Sequence, residues 1–263
     1  MTTTRKATLT GERPAVVFVP GGILPADLSY GPLLAVLGPE ITPLLKDLEV
    51  YAVETPPPDY GLATEVEAIR RVADEAGADA FHLVGYSGGG AVALAFAARY
   101  PRRLRSLALV EPAWIGNGER TPAEERYWAE LERVMALPSA ERMAAFMRAN
   151  LPPDVAPPPS PPGPPPPWMA RRPAGLEAMI HAFRDYDLDR AWFRQFQQPV
   201  YLALGDRSHP IEADKARTLD ALFPALQSEV YVGRHHFDPP HRAEPERFAR
   251  ALHALWVRGG GAT

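Results

Sequence analysis

Apolar residues recur along this 263-residue chain with two different periods. Short, nearly continuous apolar runs at 14–20 (Val16, Val17, Phe18, Val19), 49–53, 80–86, 106–110, 200–204 and 228–232 predict strands buried on both faces. Helical spacing separates them. Residues 63–76 put Val66, Ile69, Val72 and Ala73 on one face and stop at Gly77, while 91–99, 214–223 and 245–257 read as further helices. Residues 30–46 carry helical apolar spacing too, interrupted at Gly38-Pro39. Strands alternating with helices predict an α/β fold with a mostly parallel central sheet flanked by helices.

After Pro112 the alternation stops. No strand-like run occurs until Pro199, while 124–135, 140–149 and 176–183 have helical patterns. Residues 113–198 therefore read as a helical insertion in one α/β core made of 1–112 and 199–263. Ligands bind where the strands of such sheets end, so an insertion between two strand ends predicts a cap or lid over the site. Within it, 151–173 holds twelve of the chain's 31 prolines, a density incompatible with helix or central strand. Polyproline II is the expected form, as a spacer, a lid hinge or a docking segment.

Composition narrows the function classes. A formal net charge of −4, a pI near 6.0 and scattered Lys and Arg leave no basic surface for nucleic acid. Residues 1–14 are polar without an apolar leader, and no run of 18 apolar residues occurs, so a cytoplasmic protein without membrane contact is expected. The chain has no cysteine, which excludes disulfides, thiolate catalysis and Cys-ligated metal; covalent chemistry has to use oxygen or nitrogen. Nothing in the pattern indicates an oligomeric state.

The candidate chemistry begins at Gly85-Tyr86-Ser87-Gly88-Gly89, where an apolar run breaks sharply into an alanine-rich helix. A serine on such a strand-to-helix turn needs small residues two before and two after it, here Gly85 and Gly89, and its hydroxyl then stands clear of the backbone as a nucleophile. A phosphate loop is excluded because no lysine follows the last glycine. The nucleophile needs a base. His82 lies in a strand, His181 and His253 lie in helical patterns, and His209 follows the penultimate strand. The pair His235-His236 sits at the carboxyl end of the last strand. Together with Asp238 and His241 that pair resembles a metal cluster in composition, but Pro239-Pro240 breaks any helix that would align them, so neither metal nor other cofactor is expected.

Four segments resemble the alpha/beta-hydrolase family: Val16 to Gly22, Gly85 to Gly89, Leu202-Ala203-Leu204-Gly205-Asp206, and Gly233-Arg234-His235-His236-Phe237. The resemblance implies a serine hydrolase with the order serine, acid, histidine. It favours His236, followed by Phe237, as the base. It implies an oxyanion hole made by the N–H of Gly22, or of Ile23, with that of Gly88. The acid departs from the family pattern, since Ser208 stands three residues after Gly205 where an aspartate is usual. Two carboxylates remain: Glu111, at the end of the strand after the nucleophile helix, and Asp206. Glu111 is the better fit.

Four of the five tryptophans and five of the six methionines lie in 113–198, forming either the insertion's own core or an apolar pocket wall. The resulting expectation is hydrolysis of an ester, lactone or thioester of a small apolar substrate through an acyl-enzyme on Ser87. The alternatives are carbon–carbon bond hydrolysis on the same residues, or a non-catalytic small-molecule binding or signalling protein on a hydrolase scaffold.

Overall fold

The computed structural model describes residues 13–159 and 162–260. The polar N-terminal segment and the two central residues of the proline-rich stretch lie outside that range. The chain runs β1 (Ala15–Val19), α1 (Ala26–Leu34), β2 (Thr42–Leu45), α2 (Leu62–Glu75), β3 (Phe81–Tyr86), α3 (Gly88–Arg99) and β4 (Leu104–Val110). It continues through α4 (Pro122–Met135), α5 (Ser139–Ala149) and α6 (Arg172–Asp185) before β5 (Val200–Gly205), α7 (Ile211–Leu222), β6 (Leu226–Tyr231), α8 (Pro240–Ala243) and α9 (Pro245–Arg258). The six strands form one sheet in the order β2-β1-β3-β4-β5-β6, every pair parallel. Alternate residues feed opposite faces. Val17, Val19, Leu83, Leu107, Leu109 and Leu202 pack with α2, α3 and the helices that follow β4. Val16, Phe18, Val84, Val110 and Ala203 pack on the other face with Tyr30 of α1 and with Phe248 and Leu252 of α9. No described helix is long and apolar enough to cross a membrane.

One predicted strand is elsewhere. Residues 49–53 hold a 3₁₀ turn at Glu49–Tyr51, and the strand is Thr42–Leu45, inside the stretch read as helical. Buried Glu65 explains the first: its carboxylate accepts from the N–H of Glu49 (2.9 Å) and Val50 (3.0 Å), the donors a strand would give to a ladder. Edge position explains the second. Thr42 N–H donates to Pro14 O and Lys46 N–H to Phe18 O, so the alternation turns Pro43, which has no N–H, toward the open side of the sheet. The proline-rich stretch also ends in helical structure, a 3₁₀ turn at Pro167–Arg171 and the first turn of α6, where Pro173 loses no intrahelical bond.

Candidate active site

Ser87 sits between β3 and α3 with φ 51° and ψ −116°, a strained conformation for a residue with a side chain. The surroundings impose it. A Cβ on Gly89 would lie 2.3 Å from Val19 O, and one on Gly85 would lie 2.4 Å from Gly89 O, so strand and helix close only over glycine. Ser87 N–H donates to Val110 O (2.9 Å) and Ser87 O accepts from Ala113 N–H (2.9 Å), tying the turn to the end of β4.

Ser87 Oγ lies 3.0 Å from His236 Nε2, and His236 Nδ1 lies 2.8 Å from Glu111 Oε2. All three residues are buried, with 7%, 2% and 2% exposure for Ser87, His236 and Glu111. The other Glu111 oxygen, Oε1, accepts from Gly205 N–H (2.7 Å) and from the Ser208 hydroxyl (2.5 Å). Burial alone would raise the Glu111 carboxyl, but the hydrogen bond and charge of His236, with the donors Gly205 and Ser208, outweigh it and hold the carboxyl below its ordinary range. Glu111 itself has φ 42°, a second left-handed non-glycine residue at the same strand ends.

The remaining candidates separate. Asp206 is exposed, and its Oδ1 accepts from Gly233 N–H (2.6 Å), a loop-closing bond away from the imidazole. His235 Nδ1 accepts from Phe237 N–H (3.3 Å). His241 is buried under α1 among Tyr30, Tyr86 and Phe248, where desolvation depresses it to about 3. Among the described residues no group of three or more His, Asp or Glu side chains is placed to hold a metal.

Gly22 and Gly88 meet above Ser87, with Gly22 N 3.6 Å from where a Cβ on Gly88 would stand. Gly88 opens α3, so its N–H has no intrahelical partner and lies at the positive end of the helix. Gly22, Ser87 and Gly88 line an almost filled chamber of about 20 Å³ with Leu131, Phe146 and Met179. Ile23 is outside that lining. Two polar residues of the wall, Tyr127 and Asn150, bond within the protein, Asn150 accepting from Tyr127 OH (2.7 Å) and donating to Phe146 O (2.8 Å).

The family model described as the alpha/beta hydrolase family matches residues 16–251. The chain belongs to the alpha/beta hydrolase family. It is 30% identical over 115 residues to a monoacylglycerol lipase from Xenopus laevis, covering 37% of this chain and 33% of that one. It is 34% identical over 84 residues to a 2-hydroxy-6-oxo-6-phenylhexa-2,4-dienoate hydrolase from Comamonas testosteroni, covering 32% and 29%. The chain thus spans about a third of the length of the curated relatives it matches. Among solved structures, a thermophilic esterase from Thermogutta terrifontis superposes with TM-score 0.68 at 22% identity, over 96% of this chain and 92% of that one.

Three supporting residues escaped the sequence reading. Ser208, three residues after Gly205, donates its hydroxyl to Glu111. Tyr86 OH donates to His236 O, fixing the histidine loop from the residue beside Ser87. Lys215, buried and paired with Glu212 (2.8 Å), donates to Pro112 O (2.5 Å) and holds the turn after Glu111. Ser208 and Tyr86 had a signal, their spacing from Gly205 and Ser87; Lys215 had none. The tryptophans do not line the chamber. Trp114 stacks on Phe183 with centroids 6.0 Å apart and Trp192 packs on Phe193 and Phe196, in the core of the segment after β4.

Proposed function

We propose that this chain is a serine hydrolase cleaving an ester, lactone or thioester with a small apolar acyl or alcohol group. The observation that carries the reading is the continuous line from Ser87 Oγ through His236 to Glu111, at 3.0 Å and 2.8 Å. His236 Nε2 takes the Ser87 proton as Oγ attacks the carbonyl carbon, and the displaced electron pair goes to the carbonyl oxygen. The N–H groups of Gly22 and Gly88 receive that oxyanion. His236 then returns the proton to the leaving group, and water activated by the same nitrogen hydrolyses the acyl-serine. Glu111 accepts from Nδ1–H, which selects the tautomer with a free Nε2 and stabilises the imidazolium.

The segment 113–198 acts as a lid in this reading. A chamber of about 20 Å³ holds no more than a water molecule, so α4, α5 and α6 have to move for an ester to enter. The apolar lining and the internally satisfied Asn150 support an apolar acyl group over a sugar or phosphate. The partial match to the dienoate hydrolase supports a second reading, carbon–carbon bond hydrolysis on the same residues. A fluorophosphonate probe tests the serine mechanism: stoichiometric labelling of the wild type, abolished in Ser87→Ala, is expected. A folded wild type that resists labelling rejects it.

A further inference from the structure

A second cleft, of about 400 Å³, lies beside the Ser87 chamber and shares none of its lining residues. Its charged lining consists of Lys46, Arg71, Arg171 and Arg172 against two carboxylates, Asp47 and Glu49, an excess of two positive charges. Those carboxylates are already engaged. Glu49 pairs with Lys46 (3.0 Å) and Arg71 (3.3 Å), and Asp47 accepts from Ala26 N–H (2.7 Å).

Arg172 is the unusual member. It is only 4% exposed, and its Nε has no hydrogen-bond partner among the described residues. Its guanidinium lies 3.8 Å over the Tyr51 ring and 5.1 Å from that of Trp168, contacts that stabilise a cation without neutralising it. Burial lowers its pKa, against the weaker pull of Tyr51 and Asp47. A cation this buried, with no ion-pair partner among the described residues, is costly unless an anion completes the site. The helix adds to this, because Arg172 is the first residue of α6, whose first turn holds no acidic side chain. Leu48, Val72 and Trp168 make the rest of the wall apolar.

We propose that this cleft binds a small organic anion, a carboxylate or phosphate monoester on an apolar or aromatic body, with Arg172 as its buried anchor and Arg71 and Arg171 at the mouth. Tyr51 connects the cleft to the Ser87 chamber. Gly175, one turn after Arg172, leaves room for the Tyr51 ring, since a Cβ there would lie 2.0 Å from Tyr51 Cε1, and Tyr51 OH donates to Gly22 O (2.7 Å). An anion on Arg172 therefore bears on the Gly22 loop; this last step alone rests on the hydrolase reading.

The test is calorimetric titration with phenyl phosphate and, separately, benzoate, on wild type and on Ser87→Ala, so that binding is read without turnover. At least one of the two anions is expected to saturate both proteins with a dissociation constant of about 1 mM or tighter, the stronger one telling phosphate from carboxylate. Arg172→Gln is expected to weaken that binding at least about tenfold. Arg71→Gln/Arg171→Gln, at two exposed positions, removes the Glu49 pair and the bond from Arg171 to Tyr51 O, and is expected to stay folded with a melting temperature within about 4 °C of wild type while weakening binding several-fold, which keeps the test decisive where Arg172→Gln does not fold. Neither anion saturating the wild type, or affinity unchanged in the folded variants, overturns the proposal.

Discussion

Glu111 and Asp206 show how little residue type says about role until neighbours are known. Both are carboxylates near strand ends, yet Glu111 is buried with donors on both oxygens while Asp206 closes an exposed turn. Glu111→Gln is expected to cut ester turnover by about 10³- to 10⁴-fold, because an amide NH₂ facing Nδ1 cannot accept its proton and favours the wrong tautomer. Asp206→Asn, which keeps an acceptor for Gly233 N–H, is expected to stay within about threefold of wild type. Equal losses in steady-state kcat for the two variants contradict the assignment. The same carboxyl also carries a pH dependence. Its folded pKa lies below the ordinary 4.5, so its contribution to stability is present above that value and is lost as pH falls through the lower folded one; Glu111→Gln should remove that acid slope in denaturant midpoints. Serine, histidine and both carboxylates were legible as candidates from type and order. Strand-end position and chain order favoured Glu111 over Asp206, but the bond that separates them joins residues 125 positions apart and is visible only in the fold.

At the scale of elements, the turn at Ser87 was legible because its constraint is local. Gly-x-Ser-x-Gly after a strand and before a helix dictates both the strained backbone and a hydroxyl that stands clear of it. The constraint is unequal among its glycines. Gly89→Ala drives a Cβ to 2.3 Å of Val19 O, a backbone atom, whereas Gly88→Ala meets Met179 Cε at 3.0 Å, the movable end of a side chain. Thermal unfolding is expected to show Gly89→Ala losing at least about 3 kcal/mol or failing to fold, and Gly88→Ala losing about 1 kcal/mol or less. Similar stabilities for the two variants would refute the packing argument. The edge strand was illegible for a complementary reason. Thr42–Leu45 carries Pro43 and no alternation of its own, and it is a strand because β1 offers a ladder on one side only.

For the whole molecule, the proposed function makes the helices between β4 and β5 the lid that governs what reaches Ser87. Met179 Cε stands 2.9 Å from where a Cβ on Gly22 would be, so it fills the space that an acyl group would need. Met179→Ala is expected to raise kcat/KM for p-nitrophenyl hexanoate relative to the acetate by about tenfold, at a stability cost of about 2 kcal/mol. An unchanged ratio would mean that the acyl group lies elsewhere.

By itself the sequence determined the fold class, the glycine-bounded turn at Ser87 and the candidate groups that the fold gathers around it. Apolar periodicity and a glycine-bounded serine express local rules, the pleat of a buried strand and the closeness of strand to helix, which hold wherever the segment sits. Tertiary structure alone decided which carboxylate reaches His236, which edge residues pair with β1, that Trp114, Trp128 and Trp192 pack on neighbouring Phe and Tyr rings and not in the Ser87 chamber, and that Arg172 is buried with no ion-pair partner among the described residues. Each of these is settled by the desolvation and donors that distant segments bring to one point, and no local pattern encodes the distance between them.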